Sequence, residues 1–116
     1  MIVEFVRFPK PEGWTREDVL ADARTVVEKW RADPALVRKH FLMGEDGMLG
    51  AFYIWPSRKD AERAHDAAWR TAVAEKTGAA PAIDYFDLTM VIDNAAGTVT
   101  EFERGEGTGE RDLSGS

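Results

Sequence analysis

The sequence predicts an α+β fold, a ferredoxin-like β-α-β-β-α-β domain with a four-stranded antiparallel sheet. Three observations predict it. β-rich runs and helical periodicities alternate in that order along the chain. A glycine-flanked link joins the two middle strands as a hairpin. The strands carry apolar residues on both faces, whereas a sheet with one wet face would alternate apolar and polar.

Residues 2–8, Ile-Val-Glu-Phe-Val-Arg-Phe, form a β-rich run closed by Pro9-Lys-Pro-Glu-Gly13, so the chain opens with a strand and a turn. Thr15 stands three residues before Asp18 as a capping pair, and Val19, Ala23, Val26, Val27 and Trp30 follow at helical spacing. This first helix ends near Asp33-Pro34. Leu36–Met43 and Met48–Trp55 are strand-like and are joined by Gly44-Glu-Asp-Gly47. Pro56-Ser57 stops the third strand, and Ser57 caps a second helix. The inner stripe of that helix is Ala61, Ala64, His65, Ala68, Trp69, Ala72 and Val73, and Thr77-Gly78 ends it. Ile83–Ile92 supplies the fourth strand.

In the third strand Met48, Phe52 and Ile54 point one way, and Leu49, Ala51, Tyr53 and Trp55 the other. The fourth strand loads both faces as well, with Ile83, Tyr85 and Val91 set against Phe86, Leu88, Met90 and Ile92. Two helices cover one face only. The other is an apolar patch of the kind that marks an interface, and pairing with a second copy, sheet to sheet, is its simplest cover. Residues 1–96 thus form the domain. Residues 97–116 are an acidic, Gly-rich tail holding five acids and two bases, expected either to lack structure or to send a short strand, Thr98–Phe102, across the partner.

At 116 residues and 44% hydrophobic content the chain is large enough for one core. The absence of cysteine excludes disulfides, thiolate metal sites and cysteine nucleophiles. The net charge of −6, with no basic stripe, argues against nucleic-acid binding. The N-terminus lacks the pattern of a targeting signal, and no stretch approaches the roughly 18 apolar residues of a membrane span. A cytoplasmic protein without membrane contact is expected.

Two histidines are candidates for acid–base chemistry. His40 lies in the second strand, where alternation groups it with Leu36, Arg38 and Leu42; in the space between sheet and helices it would act as an acid–base group or orient a substrate oxygen. His65 lies on the inner edge of the second helix, one turn before Trp69. The alternative for each is a histidine that serves packing with one polar handle. Trp30, Trp55 and Trp69 fall on inward positions and Tyr53 and Tyr85 add hydroxyls, as a cavity lining or as core. The spacing matches no metal-ligand set, P-loop or catalytic triad, so no metal and no cofactor is expected.

The segment Arg38-Lys-His-Phe-Leu-Met-Gly-Glu-Asp-Gly-Met-Leu-Gly-Ala-Phe-Tyr-Ile-Trp-Pro-Ser-Arg-Lys-Asp-Ala-Glu-Arg-Ala-His65 resembles the small mono-oxygenases of the dimeric α/β-barrel superfamily. The shared pattern is a glycine hairpin before an aromatic-rich strand, then Ser-x-x-x-Ala at a helix start, then a histidine or aromatic within that helix. The resemblance covers residues 2–93 and is closer over 38–93. It implies a ferredoxin-like protomer, a face-to-face homodimer, and a pocket between each sheet and its helices. It also implies oxidation of polycyclic phenols to quinones without metal or flavin, here on a small aromatic substrate. His65 matches the helix histidine of the antibiotic-biosynthesis branch, and Trp69 a pocket-lining position. Glu4 and Arg7 stand where the haem-degrading branch has asparagine, so haem degradation is not implied. His65 and His40 are thus expected as catalytic residues and Trp69, Tyr53, Trp30 and Tyr85 as substrate contacts. Two other readings stay open: a non-catalytic small-molecule-binding or stress-related dimer, and an interaction module working through the acidic tail.

Overall fold

The structure, a computed structural model, describes residues 1–104. Its strands are β1 (Ile2–Pro9), β2 (Arg38–Met43), β3 (Met48–Trp55), β4 (Ala82–Asp87), β5 (Met90–Asp93) and β6 (Thr98–Glu101). Its helices are α1 (Arg16–Thr25), α2 (Val27–Arg31), α3 (Arg58–Ala64) and α4 (Ala67–Thr77). The main sheet runs β2-β3-β1-β4, and all its neighbours are antiparallel. This is the order of the split β-α-β unit, as the sequence predicts. Among the described residues no helix is long and apolar enough to cross a membrane.

Register decides which residues meet the helices. β1 and β3 pair from Ile2 opposite Trp55 to Pro9 opposite Met48, so the even residues of β1 share a face with the odd residues of β3. Ile2, Glu4, Val6, Leu49, Ala51, Tyr53 and Trp55 are all buried on that face, beneath Trp30 and Ala61. Gly50 permits the two central strands to close up, since a Cβ there would lie 2.8 Å from the Val6 carbonyl oxygen. The opposite face carries Phe5 stacked on Phe52 at 4.6 Å, and its Phe86 is 51% exposed.

Three elements depart from the expected ones. The first helix breaks at Val26, which leaves helical geometry at φ −110°, ψ 6°. The second breaks at His65-Asp66. His65 (φ −110°, ψ 58°) ends α3, and the Asp66 carboxylate restarts the backbone as an N-cap by accepting from the Trp69 N–H. The fourth strand splits between Asp87 and Met90; its second half, β5, folds back on β6 in a separate two-stranded sheet. Gly97, at φ 73°, serves the turn between them. Thr98–Glu101 is therefore a strand paired with its own chain rather than unstructured tail. Residues 105–116, the rest of that tail, lie outside the described residues.

Candidate functional site

β1, β3 and the α3–α4 break bring one carboxylate and one imidazole together inside the fold. Glu4 and His65 are 0% and 1% exposed. Alternation along β1 turns Glu4 inward between Ile2 and Val6. The break in the helix turns His65 onto the sheet. Glu4 Oε1 accepts a hydrogen bond from Trp55 Nε1 at 2.9 Å and stands 2.8 Å from His65 Nδ1. The histidine contact has ion-pair distance without the alignment of a hydrogen bond. Glu4 Oε2 and His65 Nε2 have no hydrogen-bond partner among the described residues. Burying such a pair is costly where apolar side chains would fit, and a local rule broken inside a core is a mark of a working site.

Four aromatic rings surround the imidazole. Trp69 lies 4.2 Å from it between centroids, Tyr53 4.5 Å, Trp30 5.5 Å and Trp55 6.4 Å. Three of them, Trp30, Tyr53 and Trp69, have a second role. They line a pocket of about 140 Å³ between the sheet and α1, α2 and α4. Val26, Phe41 and Ala51 continue its apolar walls, with Asp22, Lys29, Lys39 and Lys76 as its charged groups. A cavity of roughly 150 Å³ accommodates benzene, so this pocket fits one aromatic ring, and it is open to solvent on one side. Burial, and next the charge of Glu4, raises the Tyr53 hydroxyl far above its ordinary range. Tyr53 is a neutral hydrogen-bond donor at physiological pH.

The residues expected from the sequence divide accordingly. Trp30, Tyr53 and Trp69 come together in the pocket wall, with His65 directly behind them and outside the lining. Tyr85, opposite Glu4 in the β1–β4 register, is on the same face but away from the pocket, under the Arg58 guanidinium at 4.0 Å. Burial pushes its hydroxyl up as well. His40 is a correction. It pairs with Phe52 and so belongs to the face away from the helices, where it is exposed; His40 and His65 do not meet. The reason is register: the residues of β2 facing the helices are Lys39 and Phe41, opposite Tyr53 and Ala51.

Sequence reasoning did not single out Lys39 or assign Glu4 to the site. For Glu4 the signal was a carboxylate at an inward position of an otherwise apolar strand face. Lys39 Nζ lies 4.1 Å from the Phe41 ring centroid, 4.4 Å from Trp30 and 4.6 Å from Tyr53, cation–π distances to three rings. Burial, and then the neighbouring Lys29 charge, lowers its ammonium to about 7, against smaller opposing effects of Asp22 and Glu4.

No family model and no curated protein matches the chain. Solved structures do match. It is similar to a mono-oxygenase from the gene ActVA-Orf6 of Streptomyces coelicolor, solved with the ligand nanaomycin D, at 19% identity and a TM-score of 0.60, covering 78% of this chain and 89% of that one. SnoaB, a cofactor-independent oxygenase from Streptomyces nogalater solved as a mutant, matches at 20% identity and a TM-score of 0.52, over 75% of this chain and 92% of that one. The NE2512 protein of unknown function from Nitrosomonas europaea matches at 20% identity and a TM-score of 0.60, over 75% and 87%. The chain therefore shares the fold of these solved proteins, an α+β, ferredoxin-like arrangement of a four-stranded antiparallel sheet with its helices.

Proposed function

We propose that the chain is a cofactor-independent mono-oxygenase acting on a small phenolic substrate held in the pocket between sheet and helices. The observation that carries this reading is the pocket itself: Trp30, Tyr53 and Trp69 enclose a ring-sized space whose wall rests on the buried Glu4–His65 pair. Two solved oxygenases with this fold support it, one of them solved with the ligand nanaomycin D. In the reaction, a naphthol with an open para position and one O₂ give one naphthoquinone and one water. One oxygen atom becomes the second carbonyl. The other leaves as water with the phenolic proton and the proton displaced from the ring carbon, the ring supplying all four electrons. Trp30 and Trp69 hold the ring and Tyr53 donates to its oxygen. His65 acts as a positioning residue, setting Trp69 and Tyr53 from behind rather than touching the substrate.

Oxygen uptake with anthrone- and naphthol-type substrates tests this reading. Wild type should consume O₂ with each equivalent of quinone formed, and Trp69→Ala and His65→Ala should slow it. His65→Ala should lower kcat more than it raises KM. No uptake with any member of the panel sinks the proposal. That result would favour a second reading, a binding protein without turnover, which draws on the fact that neither histidine lines the pocket.

We infer as well that the face away from the helices meets a second copy. Phe5, Phe52 and Phe86 form an apolar surface there. On the β5–β6 hairpin Ile92 and Val99 are each 65% exposed. Contiguous apolar area of this kind is a mark of association.

A further inference from the structure

The chain carries a net charge of −6, yet its pocket has the opposite sign: three lysines, Lys29, Lys39 and Lys76, against the single carboxylate of Asp22. That carboxylate is engaged, since Lys76 Nζ donates to Asp22 Oδ1. The remaining acid on this side of the sheet near the pocket, Glu4, is sealed behind the wall at 0% exposure. Lys39 is thus a cation set among Trp30, Phe41 and Tyr53 with no carboxylate within ion-pair distance among the described residues. A lysine in an apolar pocket without an internal counter-ion is a site for an external one. Aromatic walls at its sides set the shape of that counter-ion.

We propose that the pocket binds a planar aromatic anion of one to two rings, its carboxylate or phenolate oxygen paired with the Lys39 ammonium and its ring between Trp30 and Trp69. This deepens the oxygenase reading by giving its substrate a charge, and rests on that reading for turnover but not for binding. Lys39 faces Lys29 from α2, Asp22 from α1, Lys76 from α4, Tyr53 from β3 and Glu4 from β1. Its ammonium, lowered by burial to about 7, is charged at pH 6 and mostly neutral at pH 9. The anion should therefore bind more tightly at the lower pH.

The test is calorimetric titration of the full chain with 1-naphthoate and with its neutral isostere 1-naphthamide. Naphthoate has no hydroxyl to oxidise, so the outcome is independent of any oxygen chemistry. At pH 6 naphthoate should bind about ten- to a hundredfold more tightly than the amide, the range of one charge-assisted pair, and the preference should shrink at pH 9. Lys39→Met should remove the preference, lowering naphthoate affinity much more than naphthamide affinity; Lys39→Arg, which keeps a cation on the same strand, should retain it. Thermal unfolding of both variants establishes that they fold. Equal affinity for acid and amide at pH 6, an unchanged preference in Lys39→Met, or no binding of either probe overturns the proposal.

Discussion

Replacing Glu4 and His65 singly and together tests whether they act as one unit inside the core. Glu4→Met removes the acceptor of the Trp55 N–H and leaves His65 facing no carboxylate; His65→Leu leaves Glu4 buried beside the Trp55 N–H alone. Breaking a buried pair by removing one partner costs about 3–5 kcal/mol. Independent effects would therefore sum to roughly 6–10 kcal/mol, most or all of the stability of an ordinary domain, about 5–15 kcal/mol. The double variant removes both buried polar groups. Its remaining orphan is the indole N–H of Trp55, worth about 1–3 kcal/mol. Urea unfolding followed by tryptophan fluorescence should thus find the double variant more stable than either single one. A double variant that loses the sum of the single effects refutes the coupling, and with it the claim that the pair is one buried unit under the pocket wall.

Gly50→Ala should destabilise the sheet by about 1–3 kcal/mol, the range for forcing atoms into a packed interior, because the new Cβ would press on the Val6 carbonyl; an unchanged melting temperature contradicts that close approach. Lys39 gives a signed pH dependence. Its folded pKa, about 7, lies below its ordinary 10.5, so between these values the unfolded chain binds the extra proton and stability rises with pH. Lys39→Met should flatten that rise in urea titrations at pH 7, 8.5 and 10, and an identical slope in both proteins rules it out. In light scattering after gel filtration, wild type should elute at about twice 12.9 kDa, and Ile92→Asp with Val99→Asp should shift it toward the single-chain mass. A monomeric wild type removes the paired-sheet reading.

The sheet was legible because its signals are local. Turn residues bounded the strands, and the third strand, Met48–Trp55, has the observed ends. The inward set Leu49, Ala51, Tyr53 and Trp55 followed from alternation alone. The helix breaks were hidden because the stripe from Ala61 to Val73 is continuous; only Asp66 at the break supplies a competing cap, and an exposed aspartate inside a helical pattern is an ordinary sight. Alternation counted from Leu36 puts His40 on the wrong face, although the sequence itself holds the right one. The hairpin pairs Met43 with Leu49, so inward odd residues on β3 require inward odd residues on β2, Lys39 and Phe41. The Glu4–His65 contact joins the first strand to the end of α3, and no periodicity reports a pairing across that much chain. Splitting of the last strand depends on how Leu88 and Thr89 leave the sheet edge, where the Leu88 N–H donates to the Met1 carbonyl and the Phe102 N–H to that of Thr89.

The interruption at His65-Asp66 gives the pocket a wall with its own foundations. α4 begins on its own cap at Asp66 and ends on its own left-handed Gly78, and it carries Trp69, Val73 and Lys76 as a panel over the cavity. Its backbone ladder owes nothing to α3, so displacing this panel breaks no helical hydrogen bond; it strains the Arg70 tie to the His65 carbonyl and the Lys76–Asp22 latch at the far end. A continuous helix would have to bend to admit a guest. Two helices meeting at a corner set the panel with no bend in either, and the corner lies at the residue around which the aromatic cage is built.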